Sequence, residues 1–590
     1  MRFPFGSIVF GLLVLVGCAS EPAVQTLLPL ELYTVCLSGP QASETGELNP
    51  FTDVRLSLKL AGPDGLAREV PGYFAADGNA AETSAEAGDQ WCVRLREAAV
   101  GDYTAAVRFE RGPQLALKPV STRGTALAAH DSTFGFRVSG TTEADGFLRY
   151  TGSGYPSFSE SGKVFLKSGT NSPENFLAFA DFDGTYSSDT GRMYVKTYET
   201  HLGDWQAGDT EWREGRGHGI VGALNYLAGQ GVNGIYCVTN NIGGDARDVW
   251  MYTDHETFDR FDVSKLEQWD LVFRHANRLG INVQVVTQEA ENETLLDGGD
   301  TGPLRQLYYR ELVARFGHNP MVVWNLGEEN GHTPWNEDPF QTDEQRAAMA
   351  AWFEANDPYA HPVVIHTLPT PEWKPGVLNP LLGNAALDGL SLQIHESGAV
   401  HEEVLRWRHR SDSVGRPWMM AMDEIGPWYS GSLSDAADVD HDTLRKEVLW
   451  GAFMAGAYGV EWYYGWFSDQ SDLNAEDFRA REGLWQQTRV AREWMEELPL
   501  DKLAPADGLV SGDGNLAMAT PSRDVVIAYL PGGGTTKIKL SEAAGRRFRL
   551  TWMRAKTGER IDGGEEDATG EMLLQPPMDG ADWAVRLDRT

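Results

Sequence analysis

Between residues 164 and 466 the chain carries eight short apolar runs, with helical segments between most of them. The runs are VFLKSG (164–169), GIYCVTN (234–240), VQVVTQE (283–289), VVWNLGEE (322–329), VVIHT (363–367), LSLQIH (390–395), WMMAMDE (418–424) and VEWYYGW (460–466). Each is too short for a helix and rich in branched or aromatic residues, which reads as a strand buried on both faces. Strands alternating with helices predict a parallel sheet. Eight such units predict a (β/α)8 barrel with enlarged loops. A doubly wound open sheet is the alternative, but no GxGxxG follows the first strand. The clearest helix begins near Ser264. Ser264 and Glu267 have the spacing of a capping box, Leu266, Trp269, Phe273, Ala276 and Leu279 share one face, and Gly280 marks the stop.

The flanks read differently. From 28 to 138, QWCVRLRE and DYTAAVRFE alternate apolar and polar residues between Gly, Pro and Asp clusters, as in a β-sandwich. From 503 to 590, VVIAYLPGGGTTKIKL, FRLTWMRAKTGERI and ADWAVRLD suit a second, smaller sandwich. The expected fold is therefore multidomain α/β, with a central (β/α)8 barrel over 139–502 between two β-sandwiches. Residues 1–18 read as a leader: Arg2, an apolar stretch too short to span a bilayer comfortably, and Leu15-Val16-Gly17-Cys18, which has the form of a bacterial lipobox. Lipidation at Cys18, followed by a linker over 19–27, predicts an exported bacterial lipoprotein on the outer membrane, facing the periplasm or cell surface. An exported chain is permitted disulfides. Cys36 and Cys92 share one region and are a possible pair, whereas Cys237 sits in an apolar run and reads as a buried thiol. The net charge of −35 leaves no basic excess for a nucleic-acid partner. No zinc-type spacing, HExxH, GxSxG or Asp-x-Asp-x-Asp-Gly loop occurs, so neither a metal nor a cofactor is expected.

Six of the eight runs end in hydrogen-bonding or acidic residues: Thr239-Asn240-Asn241, Gln288-Glu289, Glu328-Glu329-Asn330, His395-Glu396, Asp423-Glu424, and Trp462 to Trp466. The C-terminal ends of barrel strands are where such folds build active sites. Glu329 and Glu424, on the fourth and seventh strands, are the strongest pair. Cleaving a glycosidic bond needs one carboxyl that holds a proton and a second that stays ionised. Candidate substrate contacts are Asn240, Asn241, Trp250, Glu289, Asn330, Trp428, Trp462 and Trp466, with His366 among further positions that line subsites. Lys167 and Ser168 read as the end of the first strand.

Trp324-Asn325-Leu326-Gly327-Glu328-Glu329 resembles the Trp-x-x-x-Asn-Glu motif of the clan of retaining glycoside hydrolases built on (β/α)8 barrels, except that Glu328 stands in place of Asn. The resemblance implies Glu329 as acid/base, Glu424 as nucleophile, His395 as a hydrogen-bond partner of the nucleophile and Trp466 as a sugar platform. Glu328 is the alternative acid. VPGYFAADGN, FLRYTGSGYPSF, FLKSGTNSPENFLAFADFDG, LNYLAGQGVNGIY, VTQEAENETLLDGGD and VIAYLPGGG extend the resemblance, from about residue 30 to the end, to a bacterial family of uncharacterised glycoside hydrolase-like proteins. That family has an N-terminal β-domain of unknown function and a C-terminal domain labelled collagen-binding. The implied function is hydrolysis of a polysaccharide or an oligosaccharide derived from one. A non-catalytic glycan-binding surface lipoprotein is the competing reading.

Overall fold

The computed structural model describes residues 24–189, 194–332, 339–467, 469–578 and 580–590. The leader with Cys18, and most of the linker, lie outside the described residues.

Eight parallel strands close into a barrel: β1 (Lys167–Thr170), β2 (Gly234–Val238), β3 (Asn282–Val286), β4 (Val322–Asn325), β5 (Val363–His366), β6 (Gly389–Ile394), β7 (Met419–Ile425) and β8 (Gly459–Trp462). Closure is made by β1, which pairs with β2 on one side and β8 on the other. Every residue of these strands is buried, which explains the unbroken apolar character of the runs. Strand alternation then decides what faces in and what faces out. Glu461 points into the barrel towards Lys167, so its neighbour Trp462 faces the surrounding helices, where its Nε1 donates to Thr488 Oγ1 at 3.0 Å. Trp324 likewise faces outward, bonded to Asp357 and stacked on Phe353.

The first strand starts three residues later than its apolar run suggested. Lys167 is therefore its first residue, at the closed end of the barrel rather than at the rim. Its Nζ lies 2.6 Å from Asp423 and 3.3 Å from Glu461, and all three side chains are fully buried. The helix after β2 spans Val263–Arg278, and its cap is Asp262, not Ser264: the Asp262 carboxylate accepts the Lys265 N–H at 2.9 Å.

The N-terminal residues form two facing sheets. One holds strands 25–27, 54–61, 67–71, 101–111, 125–126 and 133–138, and the other holds 32–43, 73–74 and 87–96. Cys36 and Cys92 lie directly opposite each other in the second sheet and are disulfide-bonded. Cys237 is a buried free thiol in β2. This sandwich sits on the barrel's outer helices. Arg94 pairs with Glu267 and Asp270, and Tyr73 lies against the guanidinium groups of Arg94 and Arg315. At the other end, a six-stranded sheet and a two-stranded sheet over residues 504–589 enclose a separate core around Trp552, Trp583 and Phe548. Arg445 fastens it to the barrel by pairing with buried Asp582 at 2.8 Å. Among the described residues, no helix is long and apolar enough to cross a membrane.

Candidate active site

The candidate site forms where β4, β6 and β7 emerge at the C-terminal mouth of the barrel. β4 ends at Asn325, and the chain turns sharply through Leu326-Gly327-Glu328-Glu329. Gly327 has φ +146°, and a Cβ there would lie 2.6 Å from Gln288 Cγ, so glycine suits this position. Glu329 itself takes φ +45°, a left-handed conformation that costs a non-glycine residue about 1–3 kcal/mol. The Glu328 N–H donates to Gln288 O at 2.8 Å, anchoring the turn to the end of β3.

Between β6 and β7 the register slips: Leu392 faces Met422, but Gln393 faces Glu424, leaving Asp423 as an extra residue. Such a bulge re-aims side chains. Asp423 turns into the barrel to meet Lys167, while Glu424 comes level with Gln393. Gln393 Nε2 then donates to Glu329 Oε1 at 2.7 Å and to Glu424 Oε1 at 2.6 Å. One nitrogen bonded to both oxygens limits their separation to about 5.3 Å, the two bond lengths laid end to end.

On the other side of Glu424, His366 Nε2 lies 3.3 Å from Oε2. His366 comes from the end of β5 and is fully buried. Its Nδ1 lies 3.2 Å from Ser391 Oγ and 3.4 Å from the Tyr236 hydroxyl. Ser391 Oγ accepts from Gln284 Nε2, which also donates to Asp423. A continuous polar line thus runs up the barrel axis from Lys167 to Glu424. The histidine beside Glu424, expected at His395, is instead His366. His395 stands one residue past β6 and is half-buried, its backbone N–H donating to Pro369 O at 3.3 Å.

Electrostatically the mouth is one-sided. Burial and then the charge of Glu424 hold the Glu329 carboxyl well above the usual range, against the opposing bond from Gln393. Glu328 is pushed the same way by burial, then by Glu424 and Glu289. Two groups of buried ligand-type side chains share Glu328. In Glu328–His366–Glu424 and in Glu174–Glu289–Glu328, one potential donor atom from each residue lies within 4.8 Å of the others. Glu174 and Gln393 were missed in the sequence. The sequence expectation of no metal rested on local spacing, which does not register ligands brought together from separate strands.

Several expected contacts are structural. Asn241 is fully buried and its side chain organises its own loop, accepting from the Asp248 and Val249 amides and donating to Asp248. Asn240 is buried beside it, its carbonyl accepting from Asn292. Trp250 is only 1 % exposed, packed against Tyr186 with the Lys265 ammonium over its ring, so it offers no open platform. Trp462 is buried outside the barrel wall, for the alternation reason given above. Asn330 is buried and bonds back to Gly327 O. Trp428, in contrast, is 54 % exposed, and it forms an aromatic shelf with Tyr429 and Phe467. Half-buried Trp466 adjoins it, its amide donating to Trp428 O at 3.0 Å.

Comparison with known proteins agrees with this architecture. Residues 31–110 match the model of a domain of unknown function, DUF5060. Residues 506–588 match that of a "Putative collagen-binding domain of a collagenase". No curated protein sequence matches the chain. Among solved structures, a "putative glycoside hydrolase from Bacteroides vulgatus" shares the fold with a TM-score of 0.64 at 14% identity, covering 96% of this chain and 100% of that one. A "glycoside hydrolase family 5" protein from the same organism has a TM-score of 0.53 at 16% identity, covering 75% of this chain and 94% of that one. A third, described as "Glycoside hydrolase", has a TM-score of 0.54 at 16% identity, covering 75% and 97%.

Proposed function

We propose that this chain is a retaining glycoside hydrolase acting on a polysaccharide or an oligosaccharide derived from one. The observation that carries the reading is the single Gln393 amide shared by Glu329 and Glu424. It keeps their nearest oxygens within the ~5–5.5 Å typical of retention and short of the ~6.5–9.5 Å that inversion needs to admit a water. The strand positions and the resemblance at 324–329 support the same pair, and the solved structures that share the fold are described as glycoside hydrolases.

In this reading Glu424 attacks the anomeric carbon. Its Oε1 is oriented by the Gln393 amide and its Oε2 faces the His366 ring. Glu329 keeps its proton because burial and the adjacent negative charge oppose ionisation. It gives that proton to the departing glycosidic oxygen, leaving a covalent glycosyl–Glu424 ester. Glu329, now ionised, takes a proton from water, which attacks the same carbon and releases Glu424. Trp428, Tyr429 and Phe467 supply an apolar surface for a sugar ring beside the mouth.

The test is hydrolysis of a broad panel of polysaccharides by the chain starting after Cys18, beside Glu329→Gln and Glu424→Gln. New reducing ends from the wild type alone support the assignment. Equal activity in either variant removes that residue from the mechanism. Glycan binding without hydrolysis in all three would favour the non-catalytic reading. We also propose that the protein is exported and anchored to the outer membrane through lipidated Cys18, on the strength of residues 1–18. Cys18→Ala should release it from the membrane fraction; unchanged membrane association would refute the anchor.

A further inference from the structure

We propose that Glu174, Glu289 and Glu328 form a binding site for one divalent cation of the calcium type at the mouth of the barrel. The three residues come from the loop after β1, the loop after β3 and the turn after β4, and all are buried. One carboxylate oxygen from each lies within 4.8 Å of the others. Oxygens on opposite sides of a calcium ion, each ~2.3–2.6 Å from it, stand about that far apart, so one ion can touch all three. The donors are hard carboxylate oxygens, which favour calcium or magnesium over softer metals.

What distinguishes this cluster from an ordinary acidic patch is the state of its oxygens. Glu289 is 3 % exposed; its Oε2 accepts the Asp245 N–H at 3.0 Å, and its buried Oε1 has no hydrogen-bond partner among the described residues. Gly244 lets this carboxylate lie against the backbone, since a Cβ there would fall 1.3 Å from Oε2. Among the described residues, neither the Glu174 nor the Glu328 carboxylate accepts a hydrogen bond, and no Lys or Arg forms an ion pair with any of the three. A buried carboxylate without a partner must take up a proton or meet a cation. All three carboxyls are raised by burial first, Glu174 and Glu328 then by carboxylates that include others of the cluster and Glu289 by Asp245 and Glu291, and a bound cation would offset that accumulated negative charge. A single ammonium group on an amino sugar is the other occupant that this charge would accept. Three converging carboxylates and a buried, unpartnered oxygen favour the ion.

The test is calorimetric titration of Ca2+ into the chelator-treated chain starting after Cys18 at pH 7.5, with Mg2+ in parallel. One ion per chain is expected, with a rise in Tm. Glu174→Gln and Glu289→Gln should each weaken Ca2+ binding by more than about tenfold, because affinity follows the number of charged ligands. Both keep the shape of the side chain and remove repulsion, so their metal-free Tm should equal or exceed the wild type. Should one variant fail to fold, the other and the wild-type titration still decide. No Ca2+ or Mg2+ binding by the wild type, or undiminished binding by both variants, overturns the proposal. Glucosamine raising the Tm of the wild type in the absence of any ion binding would overturn it in favour of an ammonium-bearing sugar. Loss of the cation proposal leaves the glycosidase reading standing, since that is judged by hydrolysis with Glu329 and Glu424 varied.

Discussion

The two ends of the barrel interior handle buried charge in opposite ways. At the closed end, Lys167 meets Asp423 and Glu461 within 3.3 Å, and Gln284 bonds to both Lys167 and Asp423. At the open end, Glu174, Glu289, Glu328, Glu329 and Glu424 converge, and among the described residues no Lys or Arg forms an ion pair with any of them. Burying ions costs several kcal/mol each unless partners compensate, so the first arrangement is a structural solution and the second is a standing cost. A fold retains such a cost where chemistry or a ligand uses it. Position in the barrel alone does not separate the two ends; the balance of partners does.

The largest effect that would break this contrast is on catalysis. Glu424→Gln and Glu329→Gln should each lower kcat by about 10³-fold or more while leaving Tm within a few degrees of the wild type. Both are measured by reducing-end release and thermal unfolding on any substrate the panel identifies.

At the closed end the pattern should reverse. Lys167→Met strands Asp423 and Glu461 and should destabilise the barrel by about 3–5 kcal/mol, seen as a fall in Tm. Replacing all three residues with apolar side chains should recover much of that loss. A single Lys167→Met variant as stable as the wild type would end the distinction between matched and unmatched charge.

Gln393→Ala tests the bridge itself. It removes one donor from both carboxylates, so kcat should fall about 10- to 100-fold. Because the Gln393 bond opposes the raised proton affinity of Glu329, its loss should move the basic limb of the pH–rate profile upwards. An unchanged profile would show the bridge to be merely structural.

The smallest effect is on stability against pH. Burial lifts Asp472, beside the mouth, from its usual 3.8 to about 7, against a bond from Ser172 and with a contribution from Glu424. A raised carboxyl pKa means that its protonated form favours folding. That contribution is complete below about pH 4 and is lost as pH rises towards 7. In chelator, Asp472→Asn should therefore gain Tm relative to the wild type as pH rises from about 5 to 7.5. A difference that stays constant over that range would contradict the shift.

Much of the frame was legible in the sequence. The eight runs became the eight barrel strands because strands buried on both faces leave an unbroken apolar signature. That Glu329 and Glu424 would meet at the barrel mouth was legible because both end apolar runs, where barrel strands open onto the C-terminal face. Gln393 was hidden inside LSLQIH, where a lone polar residue in a short run carries no periodic signal. Its meaning depends on a register slip that only strand pairing reveals. His395 was preferred to His366 because the resemblance pointed to the sixth strand, whereas the fold places His366, held at Ser391, against Glu424. Trp250 and Trp462 were read as substrate contacts because aromatic residues near strand ends serve core and cleft alike; only burial separates the two uses. Lys167 was misplaced by a shift of a few residues in one boundary, enough to exchange rim for base.

The most direct test is the anomeric configuration of the first-formed product, followed by proton NMR on a substrate of known linkage. A product that retains the configuration of the cleaved bond is expected from carboxylates bridged by Gln393. A first product of inverted configuration would contradict it, because inversion needs room for a water that the bridged pair does not leave.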